Sequence, residues 1–287
     1  MSTLEAVILG LVQGLTEFLP ISSSGHLAIV PWLADWEQPG LAFDASLHLG
    51  TLFAVVIYFR DDLGRMIRAI PLAVRELRPL LRAAEVDHPR AFDARLGLLI
   101  AIGCIPAGVA GVLGENAIDD FFHSDTHRDR ALALIAVLLG GFAVLLWFAE
   151  RVSRRNRSMR ELGLVDAVVI GLAQAIALLP GTSRSGITLT TGLFRDLRRA
   201  DAARFSFLLG LPVTLAAAVT GLSDLTSGSG DIGTTQIVIG IAVSAVSGLG
   251  AIWALLRLLQ RAPTTVFTIY RLAAAAGILL LIATGVR

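Results

Sequence analysis

Apolar residues gather in blocks along the chain, and six of the blocks are long enough to cross a bilayer as helices, which takes about 17–25 mostly apolar residues. They lie at roughly 43–60, 96–114, 131–150, 203–222, 235–256 and 265–284. Two further blocks are interrupted. Leu4 to Leu19 stops at Pro20 and runs into Ser22-Ser23-Ser24-Gly25-His26; Leu162 to Leu179 stops at Pro180 and runs into Gly181-Thr182-Ser183-Arg184-Ser185-Gly186. Each is followed by a short apolar run, Leu27–Leu33 and Ile187–Phe194. Half-length helices joined by polar, glycine-rich turns read as re-entrant hairpins, over about 4–34 and 162–194, because irregular backbone at membrane depth survives only where protein or a water-filled cavity surrounds it.

Composition agrees with a lipid-embedded chain. Of 287 residues 55% are apolar before the 28 glycines are added, which takes the share to roughly 65%, against roughly 45–50% for a soluble domain. With 16% charged residues and a net charge of +1, a disordered chain and a basic nucleic-acid binder are both excluded, and no nucleic-acid partner is expected. The start, Met-Ser-Thr-Leu-Glu, lacks the positive charge of a cleavable signal, so the first apolar block is expected to stay in the mature protein. Cys104 has no cysteine to pair with and reads as an apolar filler.

Charge sets the orientation. Every one of the 24 basic residues is Arg. If both hairpins return to the side they entered from and the six spans alternate, 19 arginines fall on one side, Arg128, Arg130 and Arg287 on the other, and Arg184 and Arg271 within membrane segments. The positive-inside rule then puts the arginine-rich side in the cytoplasm and the N-terminus outside. Within that side, the stretch from Asp61 to Asp93 interleaves Arg with Leu, Ile and Val, as an amphipathic segment against anionic headgroups would.

The chain also repeats itself. A shift of 161 residues pairs Val7 with Val168, Gly10 with Gly171, Leu11 with Leu172, Gln13 with Gln174, Ser22 with Ser183, Ser24 with Ser185 and Gly25 with Gly186, while Pro20 and Pro180 are out of step by one. A shift of 160 pairs Ser46 with Ser206, Leu49 with Leu209 and Gly50 with Gly210. The predicted fold is therefore an all-α integral membrane protein: one membrane domain, residues 1–287, of six full transmembrane helices plus two re-entrant helix hairpins. Its halves, 1–155 and 160–287, each hold a hairpin and three spans. Three is odd, so the second half starts from the opposite face and the repeat is inverted, an architecture that places function near the midplane where broken helices converge.

The two tips carry complementary chemistry. Gln13 and Glu17 share a helix face, four residues apart, just before the hydroxyls of Ser22, Ser23 and Ser24 and the imidazole of His26. A carboxylate at membrane depth needs a partner, a metal or a task; structural pairing with an arginine is the plain alternative for Glu17, and a satisfied interior histidine the plain alternative for His26. On the second tip Gly181 and Gly186 allow close backbone approach, and Thr182, Ser183 and Ser185 supply hydroxyls beside Arg184. That set suits a phosphate oxyanion; helix capping accounts for the hydroxyls alone and leaves the arginine unexplained. An acid, hydroxyls, a histidine and an anion clamp suit hydrolysis of a phosphate ester or anhydride, reached directly by a lipid-borne phosphate.

The segments Gln13-Gly-Leu-Thr-Glu17-Phe-Leu-Pro20-Ile-Ser22-Ser23-Ser24-Gly25-His26 and Leu179-Pro180-Gly181-Thr182-Ser183-Arg184-Ser185-Gly186 closely resemble the two signatures of the bacterial undecaprenyl-pyrophosphate phosphatases of the bacitracin-resistance type. The likeness extends to Phe205-Ser206-Phe207-Leu208-Leu209-Gly210 and to length and span count. The resemblance implies removal of the terminal phosphate of a C55 polyprenyl diphosphate, which recycles the cell-wall lipid carrier, helped by a divalent cation, Mg2+ or Ca2+. It implies a bacterial plasma (inner) membrane location with the site open to the outer face, membrane lipid around the protein, and a homodimer as one option for its assembly. By position, Gln13 and Glu17 take the acidic pair, with Glu17 as cation ligand; Ser22, Ser23 and His26 take the hydroxyl and imidazole positions; Ser183 and Arg184 take the phosphate grip. Gln at the first acidic position leaves Glu17 as the one charged member. His26 is favoured as general acid/base or nucleophile beside a serine, with Ser22, Ser23 or water as alternatives.

Other features weigh less. His123 and His127 have a zinc-pair spacing but lie in an acidic loop and read as solvated. His48 either lines the cavity or bonds a neighbouring helix, the second being favoured, and Asp201 reads as a helix N-cap. The rival from another class is a transporter or flippase of a polyprenyl phosphate, which the inverted repeat alone would support. A phosphatidic-acid-type phosphatase is disfavoured, since its first motif needs a lysine that this chain lacks.

Overall fold

The structure, a computed structural model, describes residues 1–83, 88–122, 128–226 and 233–285, so His123 and His127 lie outside the described residues. Twelve α-helices are described: α1 Thr3–Phe18, α2 Ser23–Ala34, α3 Leu41–Tyr58, α4 Arg60–Arg75, α5 Leu77–Arg82, α6 Pro89–Phe122, α7 Arg128–Val152, α8 Leu164–Ile176, α9 Arg184–Phe194, α10 Arg199–Thr226, α11 Thr234–Leu259 and α12 Thr265–Thr284. Between α7 and α8 lies a 3-10 turn, Met159–Glu161. The described residues form no named strand, only an isolated bridge between Arg157 and Leu197. The protein is an all-helical membrane protein.

Five of these helices, α6, α7, α10, α11 and α12, are long and apolar enough among the described residues to cross a membrane. The sixth, α3, passes only together with α4, from which it departs by 75° at Phe59. Arg60, Asp61 and Asp62 follow that bend, and three charges in a row cannot continue an apolar span. Side chains that a soluble protein would bury face outward instead: Val112 and Leu113 are 85% and 82% exposed, as befits contact with lipid.

Chain breaks fall where the local chemistry requires them. α1 begins in a reciprocal cap in which Ser2 Oγ accepts from Glu5 N at 3.2 Å and Ser2 N donates to Glu5 Oε2 at 2.9 Å. It ends at Phe18, two residues before Pro20. At 16 and 13 residues, α1 and α8 are only about 24 and 20 Å long at 1.5 Å per residue, less than the roughly 30 Å of hydrocarbon. Each packs against a long helix of the other half through backbone contact. A Cβ on Gly10 of α1 would stand 2.7 Å from Gly240 O of α11, and one on Gly171 of α8 would stand 2.2 Å from Gly103 O of α6. Small residues let membrane helices approach this closely, and dispersion between backbones replaces the hydrophobic drive that lipid cannot supply.

α7 packs on α12, and α3 on α10, so helices far apart in sequence meet. The base of α8 is pinned by ions: Asp166 accepts from both Nη atoms of Arg157, at 3.1 and 2.7 Å, and from Arg195 Nε at 2.6 Å. α10 starts at Arg199, which places Asp201 in its first turn rather than at the N-cap expected from sequence.

Candidate active site

Both tips turn on a serine in an unusual conformation. Ser22 has φ 76° and Ser183 φ 70°, a left-handed region that side-chain-bearing residues seldom enter. Each then caps the helix that follows. Ser22 Oγ accepts from Gly25 N at 3.3 Å and lies 3.4 Å from Ser24 Oγ; Ser183 Oγ accepts from Gly186 N at 3.1 Å and lies 3.3 Å from Ser185 Oγ. The tips also touch, because Ser185 Oγ donates to Leu19 O at 3.0 Å. Strain of this kind persists only where the surroundings over-determine it, and it concentrates at functional sites.

Glu17 is the centre of what the tips assemble. Its Oε1 accepts from Arg184 Nη2 at 2.7 Å, and its Oε2 accepts from Ser23 Oγ at 2.6 Å and from Gln13 Nε2 at 3.1 Å. His48 of α3 completes the ring, with Nε2 3.7 Å from Glu17 Oε2. Its other nitrogen bonds Asp44 O of its own helix at 2.9 Å, so His48 faces the cluster by way of Glu17 on the neighbouring helix α1, and the two readings open from sequence meet in one contact. Arg184 is seated from behind: its Nη1 donates to Thr214 Oγ1 at 2.8 Å, and a Cβ on Gly210 would lie 1.9 Å from the same nitrogen. Only glycine at 210 leaves room for the guanidinium.

The arginine pairing set aside as the plain alternative for Glu17 is therefore observed, and it is part of a larger arrangement. The buried pair joins a hydroxyl, an amide and an imidazole around one carboxylate, and Gln13 Oε1, in a side chain that is 0% exposed, has no hydrogen-bond partner. An orphaned buried oxygen calls for a ligand. Among the described residues no group of three or more His, Cys, Asp or Glu stands ready to hold a metal. Gln13 and Glu17 still carry oxygen donors of the hard kind that Mg2+ and Ca2+ take.

His26 lies apart from this cluster in its bonding. Its Nδ1 is 2.6 Å from Ser22 O and its Nε2 2.6 Å from Tyr270 Oη, with the two rings stacked at 5.6 Å. A carbonyl only accepts, so Nδ1 carries the ring hydrogen and Nε2 accepts from the Tyr270 hydroxyl. The pair borders an apolar groove of about 630 Å3 between α1, α2 and α12, walled by Leu11, Leu15, Leu19, Val30 and Phe267. The structure thus brings Gln13, Glu17, Ser23 and Arg184 together, sets Ser22, Ser24, Gly181, Thr182, Ser183, Ser185 and Gly186 in the tip backbones behind them, and turns His26 toward the groove. Sequence reasoning passed over Thr214 and Tyr270, which carry no motif, and left Arg271 without a role, although its charge inside an apolar span marked it.

The chain is 47% identical to the undecaprenyl-diphosphatase of Thermomicrobium roseum over 98% of its length and 99% of that protein. It is 44% identical to the undecaprenyl-diphosphatase of Chlorobium limicola over 99% and 98%, and 43% identical to that of Geobacter metallireducens over 98% and 99%. Residues 6–277 match the family model described as bacitracin resistance protein BacA, and with this coverage the chain belongs to that family.

Proposed function

We propose that this chain is an undecaprenyl-diphosphatase: a membrane phosphatase that cleaves the terminal phosphoanhydride of undecaprenyl diphosphate, releases inorganic phosphate and returns the monophosphate carrier to cell-wall synthesis. The observation that carries the reading is the Glu17 carboxylate holding both the Ser23 hydroxyl and the Arg184 guanidinium, at 2.6 and 2.7 Å, inside an apolar helical protein. A site with one activated hydroxyl and one anion-binding cation, reached from lipid, fits a phosphate on a prenyl chain. The groove at His26 and Tyr270 gives that chain an apolar seat.

In this reading Arg184 and the amides at the start of α9 hold the phosphates. Glu17 takes the proton of Ser23 as Ser23 Oγ attacks the terminal phosphorus; the bond to the prenyl monophosphate breaks, and the monophosphate leaves as an anion beside Arg184. Water then attacks the phosphoserine phosphorus; the bond from phosphorus to Ser23 Oγ breaks, Glu17 returns its proton to Ser23 Oγ, and the water's protons leave on the inorganic phosphate. What supports Ser23 over Ser22 and His26 is that Ser22 Oγ caps α2 and both nitrogens of His26 are engaged elsewhere. Glu17 and Gln13 would hold a divalent cation, which supplies neutralisation of the charge that gathers on the phosphate oxygens.

The finer architecture belongs to the same proposal: six spans and two re-entrant hairpins as an inverted repeat, in the bacterial plasma membrane, with the N-terminus and the site outside. Ser22 and Ser183, 161 positions apart in sequence, share one left-handed conformation and one capping pattern, and α1 on α11 mirrors α8 on α6. These likenesses support the repeat. Phosphate release from C55 diphosphate by purified protein in detergent micelles, with and without chelator, tests the activity. Micelles have no second compartment, so turnover there separates an enzyme from a flippase, and no phosphate release sinks the reading.

A further inference from the structure

Arg271 has no place in the chemistry above, yet it is the largest fully buried side chain among the described residues, at 0% exposure in α12. No carboxylate pairs with it among the described residues. Its guanidinium donates to backbone carbonyls instead: Nε to Leu139 O of α7 at 3.0 Å, Nη1 to Pro20 O at 3.2 Å, and Nη2 to Gly181 O at 3.4 Å and Thr182 O at 3.0 Å. One side chain therefore bonds the first tip, the second tip and a spanning helix at once. A buried cation without a counter-ion is costly in a membrane and persists where it has a task.

The carbonyls it holds are significant by position. Thr182 O belongs to the peptide unit that leads into Ser183, and Pro20 O lies two residues ahead of Ser22; Ser183 and Ser22 are the two tip residues among the five described non-glycine residues with positive φ. A left-handed serine reverts unless its neighbours are fixed, and a planar fork that bonds both approaches fixes them in one stroke. Gly186 belongs to the same device, since a Cβ there would lie 2.7 Å from Arg271 Nη1.

We propose that Arg271 is a positioning residue for phosphoryl transfer: it locks the two tips against each other and so sets Ser23 and Glu17 in register with Arg184. This rests on the reading of that cluster as the reacting site. Arg271→Lys keeps the charge and loses the fork; Gly186→Ala keeps the arginine and crowds it. In each, purified in detergent and counted per folded molecule, kcat on C55 diphosphate falls about 10- to 100-fold while KM changes by less than about threefold, because Arg184 retains its seat on Thr214 and Ser23 loses alignment. Guanidinium ion added to Arg271→Ala restores turnover, and ethylammonium does not. A folded Arg271→Lys with kcat within about threefold of wild type overturns the tether. Should Arg271→Lys fail to fold, Gly186→Ala decides by the same criterion. A wild type that releases no phosphate overturns the reading of the site itself, which separates the two failures.

Discussion

Glu17 near the end of α1 and Arg184 at the first turn of α9 meet at 2.7 Å across 167 positions of sequence. Their side chains are 7% and 16% exposed, so each is the other's main counter-charge in a medium that tolerates neither alone. In the reaction proposed above, a diphosphate entering the site shares the guanidinium and loosens its hold on Glu17, which frees the carboxylate to draw the proton from Ser23.

Removing one half of this pair exposes its cost. Arg184→Ala should lower kcat/KM by at least about 10²-fold and destabilise the protein by about 3 kcal/mol, because Glu17 is left charged and unpaired. Glu17→Gln combined with Arg184→Gln should recover thermal stability without recovering activity. Melting in detergent and phosphate release on the same samples read both quantities; a double variant less stable than either single one contradicts the pairing.

The serines of the first tip should separate by role. Ser23→Ala should reduce kcat by about 10³-fold or more, as loss of a nucleophile does. Ser22→Ala should act on stability, by about 1 kcal/mol for the lost cap, and His26→Ala should cost less turnover than Ser23→Ala. If His26→Ala proves the more damaging of the two, Ser23 loses its assignment to the imidazole.

Gly210 has no chemistry of its own, yet Gly210→Ala should behave as a site variant. Its Cβ would fall 1.9 Å from Arg184 Nη1, so the guanidinium must leave its place between Thr214 and Glu17. The expected loss in kcat/KM is about 10- to 100-fold, measured beside a melting curve to confirm that the fold persists. Near-normal turnover means the seat is not needed.

Cation dependence should respond to residue 13. Gln13→Glu places a second carboxylate oxygen where Oε1 of Gln13 now lies buried without a partner. It should lower the Mg2+ or Ca2+ concentration for half-maximal rate by about tenfold, in line with the contribution of ligand charge to cation affinity. Titration of metal-stripped protein checks this, and an unchanged half-point removes residue 13 from the cation shell.

Much of the architecture was legible in the sequence because the bilayer imposes a simple rule: backbone must bond to itself, so long apolar blocks become helices and interruptions become visible. The breaks at Pro20 and Pro180 appear as the ends of α1 and α8 and the starts of α2 and α9. The signatures around Glu17 and Arg184 singled out two side chains that the structure pairs at 2.7 Å, because a carboxylate and a guanidinium at membrane depth stand out against Leu and Ala. The end of the apolar span before Arg60, Asp61 and Asp62 was legible, whereas the 75° angle between α3 and α4 and the start of α10 ahead of Asp201 were not.

By itself, then, the sequence determined which segments enter the lipid, where they break and which charged groups they carry, all properties of local composition. Tertiary structure alone decided the partners. It brought His48 and Thr214 to the cluster, turned His26 to Tyr270, and set Arg271 across both tips. These contacts depend on how helices far apart in sequence cross and on hydrogen bonds to backbone carbonyls, which every residue possesses and no residue type advertises.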